Sequence, residues 1–262
     1  MRPENSAHSR AVLSDLATAR VDGIPFPHAV IDDVLPDALF ARLAAAFPPC
    51  PAASGPTGFT IHRGDPEFDA VMAASPEWAA LYAQCNSPEF VAALTQLFAA
   101  EIDAASTIER SKLHWADHIE TRAEKETGRL TGQSLPPEAL HVRFDFMEGR
   151  ESYARAPHLD HRRRLATMLL YFNAPGEDSY SGGDLLLHEP GGALVGRIEP
   201  KANRAVLFPC SPRSWHAVEP VRAVQVPRRF MQLSVSSCHD IWPDQRGWGE
   251  RLVAQVRRVV GG

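Results

Sequence analysis

APHLDHRRRLATMLLYFN, residues 156–173, is the stretch on which the reading of this chain turns. A histidine, a spacer and an aspartate stand directly before an apolar run that ends in Tyr171-Phe172-Asn173. Successive side chains of a strand point to opposite faces, so His158 and Asp160 would point the same way, about 7 Å apart. Two such ligands can grip one side of a metal, and a third must come from elsewhere. The candidate is His216 in FPCSPRSWHAVEPV (208–221). Two histidines and one carboxylate on one face of an octahedron suit Fe(II) and leave positions open for a co-substrate and O2. A His-x-Asp pair alone is a weak signal, and a loop that happens to contain both residues is the plain alternative.

The surroundings favour the metal. From Leu140 onward, short runs alternate or stay apolar: HVRFDF (141–146), LATMLLYF (165–172), DLLLHE (184–189), RAVLFP (204–209) and RFMQLSV (229–235). Gly, Pro, Asn and Ser separate them, which is the pattern of an antiparallel β sandwich or barrel. The first half is mainly helical. DPEF (65–68), SPEW (75–78) and SPEF (87–90) each offer a capping side chain, a proline for the first helical position and a glutamate for the positive helix end. PFPHAVIDDVLPDALFARLAAAFP (25–48) reads as a short strand and an amphipathic helix from about 36 to 47. The expected fold class is α+β, with a double-stranded β-helix (jelly-roll) core. Residues 1–138 form a helical support, with a polar, partly helical segment at 109–137 as a possible lid. Residues 139–262 form the core and end in an amphipathic helix, GERLVAQVRRVV (249–260).

On RFMQLSV, Arg229, Met231, Leu233 and Val235 share one face. If that apolar face lines the barrel, Arg229 is carried inside, where an unpaired guanidinium is costly and calls for an anion. Its planar fork suits a carboxylate. On the 165–171 run, Leu165, Thr167, Leu169 and Tyr171 share a face, which would bring the Tyr171 hydroxyl to the same carboxylate.

These elements resemble the 2-oxoglutarate and Fe(II)-dependent dioxygenases, in particular their prolyl 4-hydroxylase-like branch. APHLD, LLYFN, SGGDLLLHEP, WHAVEPV and RRF follow one another in that family's order, over roughly residues 140–238. The resemblance implies that His158, Asp160 and His216 bind iron and that Arg229 and Tyr171 hold the distal carboxylate of 2-oxoglutarate. Thr167 and Val218 would line that pocket. It further implies hydroxylation of an unactivated C–H bond in a small-molecule or peptidyl substrate, with release of succinate and CO2. Asp160 favours hydroxylation over halogenation, because related halogenases carry a small residue there. Two departures stand out: Phe146 replaces a tyrosine often found on the first barrel strand, and the gap from His216 to Arg229 is long. Arg228 is therefore the alternative carboxylate anchor.

Composition sets the remaining bounds. The 262 residues are 44% hydrophobic and 23% charged, as in ordinary globular proteins. No stretch resembles a secretion signal or a membrane span, and the four scattered cysteines suit a reducing, cytoplasmic setting. A net charge of −5 gives no reason to expect a nucleic-acid partner. In HWADHIE (114–120), His114, His118 and Glu120 imitate metal spacings but lack the barrel context, and are expected on a solvated helix or loop. The basic run His161-Arg162-Arg163-Arg164 could draw an anionic substrate, although local ion pairs are the simpler expectation. Two rivals share the barrel: a cupin-type metal protein, which has no need for Arg229, and a non-catalytic ligand-binding jelly roll, which needs no triad.

Overall fold

The computed structural model describes residues 16, 18–49, 59–120 and 135–244. Eleven strands are placed: β1 Ala29–Ile31, β2 Phe59–His62, β3 His114–Trp115, β4 Ala139–Gly149, β5 Arg155–His158, β6 Arg164–Tyr171, β7 Leu185–His188, β8 Leu194–Ile198, β9 Ala205–Pro209, β10 His216–Val218 and β11 Arg228–Ser237. They form a seven-stranded sheet, ordered β1-β9-β6-β11-β4-β2 with β3 beside β4, and a four-stranded sheet, ordered β5-β10-β7-β8. The two sheets form the jelly-roll core, and all pairings are antiparallel except β3 with β4.

Strict alternation gives the larger sheet two unlike faces. Phe144, Leu233, Met168, Leu207 and Ala29 are register partners in a row across five strands. All five are buried in one cluster with Trp78, Phe90 and Leu94 from the helices. The opposite face carries the row Arg143, Ser234, Thr167 and Phe208 and looks toward the smaller sheet.

The helical half packs on the first face. Helices run over Asp37–Ala45, Pro66–Ala74, Pro76–Cys85, Pro88–Leu97 and Ala99–Ala105. Two of the three expected caps form, with Ser75 Oγ accepting from the Trp78 N–H at 3.3 Å and Ser87 Oγ from the Phe90 N–H at 3.2 Å. Asp65 instead accepts the His62 N–H at 3.0 Å, so its carboxylate closes the turn after β2 and not the helix. Trp78 is fully buried, with its ring 4.7 Å from Phe146 and 5.2 Å from Phe172. Phe146 therefore belongs to the helix-facing core and stands on the wrong face to replace a cavity tyrosine.

The 109–120 stretch departs from the expected polar connection. After a single 3-10 turn at Arg110–Lys112, His114 and Trp115 pair with β4, and the Trp115 indole N–H donates to Asn86 Oδ1 at 3.3 Å. His118 and Glu120 are not solvated. The His118 ring packs 4.8 Å from that of His141, and Glu120 lies within 4 Å of His141, Arg143 and Arg163. Burial raises the Glu120 carboxyl, but His141 and the two arginines outweigh it and hold the group down at about 2. Most of the suggested lid, residues 121–134, and the suggested C-terminal helix lie outside the described residues. Among the described residues no helix is long and apolar enough to cross a membrane.

Candidate active site

Between the sheets lies a cavity of about 430 Å³, and His158, Asp160 and His216 open into it. His158 and His216 are register partners on β5 and β10, with ring centroids 4.4 Å apart. Asp160 is not on the strand as expected. It lies two residues past the end of β5, and the turn folds its carboxylate back so that the three ligand atoms all fall within 4.8 Å of one another. The Nδ1 of His158 donates to the Ala156 carbonyl and that of His216 to the Ser214 carbonyl, both at 2.9 Å. A carbonyl can only accept, so each proton sits on Nδ1 and each Nε2 keeps its lone pair for a ligand.

Asp160 is held on both oxygens. Oδ1 accepts from Arg164 at 2.7 Å, and Oδ2 accepts from the Thr167 hydroxyl at 3.0 Å with the Cys210 thiol at 3.4 Å. Burial alone would raise this carboxyl. The Arg164 guanidinium beside it, together with the Thr167 hydrogen bond, overcomes that and pushes it well below the usual range. Burial lowers His216, which keeps its ring neutral despite the pull of Asp160. Asp160 is thus ionised and the imidazoles are available, which is the donor set a divalent iron needs.

A second feature lies deeper in the same cavity. Arg228 is 1% exposed, and among the described residues none of its three guanidinium nitrogens has a hydrogen-bond partner. Its guanidinium carbon stands 4.9 Å from the Tyr171 ring and 4.5 Å from that of Phe230. The Tyr171 hydroxyl is also buried without a partner, and burial raises its pKa against the opposing charge of Arg228. Gly183 makes the room: at φ +82 its absent Cβ would fall 2.9 Å from Arg228 Cδ.

The arginine in the cavity is therefore Arg228, not Arg229, and the reason is the two-faced sheet. Met231, Leu233 and Val235 do share a face with Arg229, but that face meets the helices. Arg229 is a third exposed, bonds Glu148 at 3.2 Å and lies 5.8 Å over the Phe47 ring. Of the other expected residues, Thr167 and Val218 line the cavity, with the Thr167 hydroxyl turned to Asp160. Tyr171 lies behind Arg228. The basic run is taken up locally: Arg162 pairs with Asp240, Arg163 approaches Glu120 and Arg164 holds Asp160. The roles of Arg164 and Gly183 had no signal in the sequence beyond a charged residue four after Asp160 and a Gly-Gly turn.

Residues 143–234 match the family model described as the 2OG-Fe(II) oxygenase superfamily. No curated protein sequence matches the chain. Among solved structures it is similar to a prolyl 4-hydroxylase from Phytophthora capsici, at 18% identity and TM-score 0.48, covering 90% of this chain and 66% of that one. It is also similar to a Pseudomonas putida prolyl-4-hydroxylase, at 17% identity and TM-score 0.45, covering 87% and 98%. A third is an oxidoreductase of the 2OG-Fe(II) oxygenase family from Burkholderia pseudomallei, at 10% identity and TM-score 0.48, covering 92% and 94%.

Proposed function

We propose that this cavity hydroxylates an unactivated C–H bond of a small-molecule or peptidyl substrate, a reading supported by the match of residues 143–234 to the model of the 2OG-Fe(II) oxygenase superfamily. His158, Asp160 and His216 would hold Fe(II), and Arg228 would anchor the distal carboxylate of 2-oxoglutarate, with the Tyr171 hydroxyl behind it. The observation that carries this reading is the buried, unpartnered Arg228 guanidinium in the cavity that also holds the triad. An isolated charge there is expensive, and a bidentate carboxylate satisfies it.

Fe(II), 2-oxoglutarate and O2 together supply oxidising power for the C–H bond, releasing succinate and CO2. The chain's own residues prepare the site. The two backbone carbonyls hold the imidazoles in one tautomer and one orientation. Arg164 and Thr167 fix the carboxylate rotamer and keep it ionised. Leu169, Leu185, Phe208, Val218 and Phe230 give the cavity apolar walls that exclude water beside the anchor.

The test is stoichiometric succinate release from 2-oxoglutarate by the iron-loaded protein, with and without a panel of amino acids, peptides and small carboxylates. The wild type should turn over, and well-folded His158→Ala, Asp160→Ala and His216→Ala variants should fall to background. Near-wild-type succinate release by those variants would remove the iron assignment. A cupin or simple binding protein would release none.

A further inference from the structure

The residues lining the cavity include four arginines, Arg143, Arg155, Arg164 and Arg228, against one carboxylate, Asp160. Three of the four are accounted for. Arg143 is held in a bidentate pair by Asp145, Arg164 by Asp160, and Arg228 by 2-oxoglutarate on the reading above. Arg155 is exposed, and among the described residues no acidic group or hydrogen-bond acceptor engages its side chain.

Its direction is not an accident of a loose chain. Arg155 and His158 are three residues apart on β5, so in a regular strand they would point to opposite faces. Their register partners on β10, Val218 and His216, are only two apart. The extra residue in β5 is a bulge, and it returns Arg155 to the cavity face that His158, His216 and Val218 also line. Bulges beside active sites re-aim a side chain in this way. An exposed guanidinium on the ligand-bearing strand, lining a cavity with one carboxylate and engaged by no acidic group among the described residues, is open to an anion from solution.

We propose that Arg155 binds an anionic oxygen group of the substrate, a carboxylate or a phosphate. The inference deepens the oxygenase reading and rests on it. It makes the substrate an acid and not a neutral molecule. The planar fork offers two parallel donors to such a group and holds the molecule by one end while another part lies against the metal triad.

The test needs no knowledge of the substrate. The protein is loaded with Mn(II) and saturated with 2-oxoglutarate, so that Arg228 is engaged. The paramagnetic relaxation of 19F in trifluoroacetate is then measured, with trifluoroethanol as the neutral control. Trifluoroacetate should relax faster than trifluoroethanol, and Arg155→Gln should remove the difference while Arg155→Lys keeps part of it. Displacement by acetate or by methyl phosphate tells the two anion classes apart. If 2-oxoglutarate protons are themselves not relaxed by the metal, the oxygenase reading fails and takes this proposal with it. If they are, but trifluoroacetate behaves like trifluoroethanol or survives Arg155→Gln unchanged, the assignment of Arg155 alone is overturned.

Discussion

The two faces of the larger sheet are made by the same strands and obey opposite rules. Toward the helices, Phe144, Phe146, Met168, Leu207, Leu233 and Val235 are buried against Trp78 and its neighbours, and the face is apolar up to its end, where Arg229 pairs with Glu148. Toward the smaller sheet, Arg143, Thr167, Gln232 and Arg228 line a cavity, interleaved with Leu169, Phe208 and Phe230. The first face stabilises by removing area from water, at about 25 cal/mol per Å². The second holds Arg228 buried with no hydrogen-bond partner among the described residues, the place proposed for 2-oxoglutarate. Arg228 and Arg229, adjacent on β11, show the contrast most sharply: one is buried with no hydrogen-bond partner among the described residues, and the other bonds Glu148 in part contact with solvent.

The comparison breaks if the helix-facing side can be damaged cheaply. Trp78→Ala would empty a site bounded by four phenylalanines and should cost about 3–5 kcal/mol, read as a shift in the urea midpoint. Metal affinity of the folded fraction should stay close to wild type. A small midpoint shift, or lost metal binding at full folding, would show that the two faces are not separable.

On the cavity face the expected loss is in affinity. Arg228→Ala removes a buried charge-assisted contact worth on the order of 2–5 kcal/mol to 2-oxoglutarate. That is a weakening of at least about thirtyfold in the apparent Michaelis constant. Arg229→Ala should move it by less than about fivefold, since a partly exposed ion pair contributes roughly 0–1 kcal/mol. The opposite ranking would put β11 one residue out of register.

Arg164→Ala sharpens the same boundary one step from the metal. It leaves all three ligands in place but frees the Asp160 carboxylate, so Fe(II) or Co(II) affinity should fall by about 10–100-fold. Calorimetric metal titration checks this without catalysis, and unchanged affinity would reduce Arg164 to a passive neighbour.

The smallest effect expected is one of pH. Glu120 is held at about 2 from an ordinary 4.5, so its ionised form favours the folded state. That contribution is complete above about pH 4.5 and is lost as the pH falls toward 2. The stability gap between wild type and Glu120→Gln should therefore be constant from pH 7 to 5 and narrow below it. A gap that widens on acidification would contradict the ion cluster described for Glu120.

Much of this is legible in the sequence. Metal-ligand spacing, the apolar runs of β4, β6, β7, β9 and β11, and the repeated Ser-Pro-Glu helix starts are local, so sequence carries them. β2 and β8 escaped notice because short edge strands leave little periodic signal, and Leu194 and Val195 of β8 are exposed. The sequence favours Arg229 over its alternative Arg228 for a different reason. Apolar alternation reports which face is packed, and here the most apolar face packs on helices while the cavity takes the mixed one. The β5 bulge that turns Arg155 inward likewise depends on pairing with β10, which no local pattern contains.

On the proposed reading one cavity would hold both the metal triad and the carboxylate anchor. Anaerobic titration of 2-oxoglutarate into the Fe(II)-loaded protein, followed by the weak visible charge-transfer band, tests both at once. The band should form in the wild type and in Arg229→Ala, need far more 2-oxoglutarate in Arg228→Ala, and be absent in Asp160→Ala. No band in the wild type, or one that forms equally well without Arg228, would contradict it.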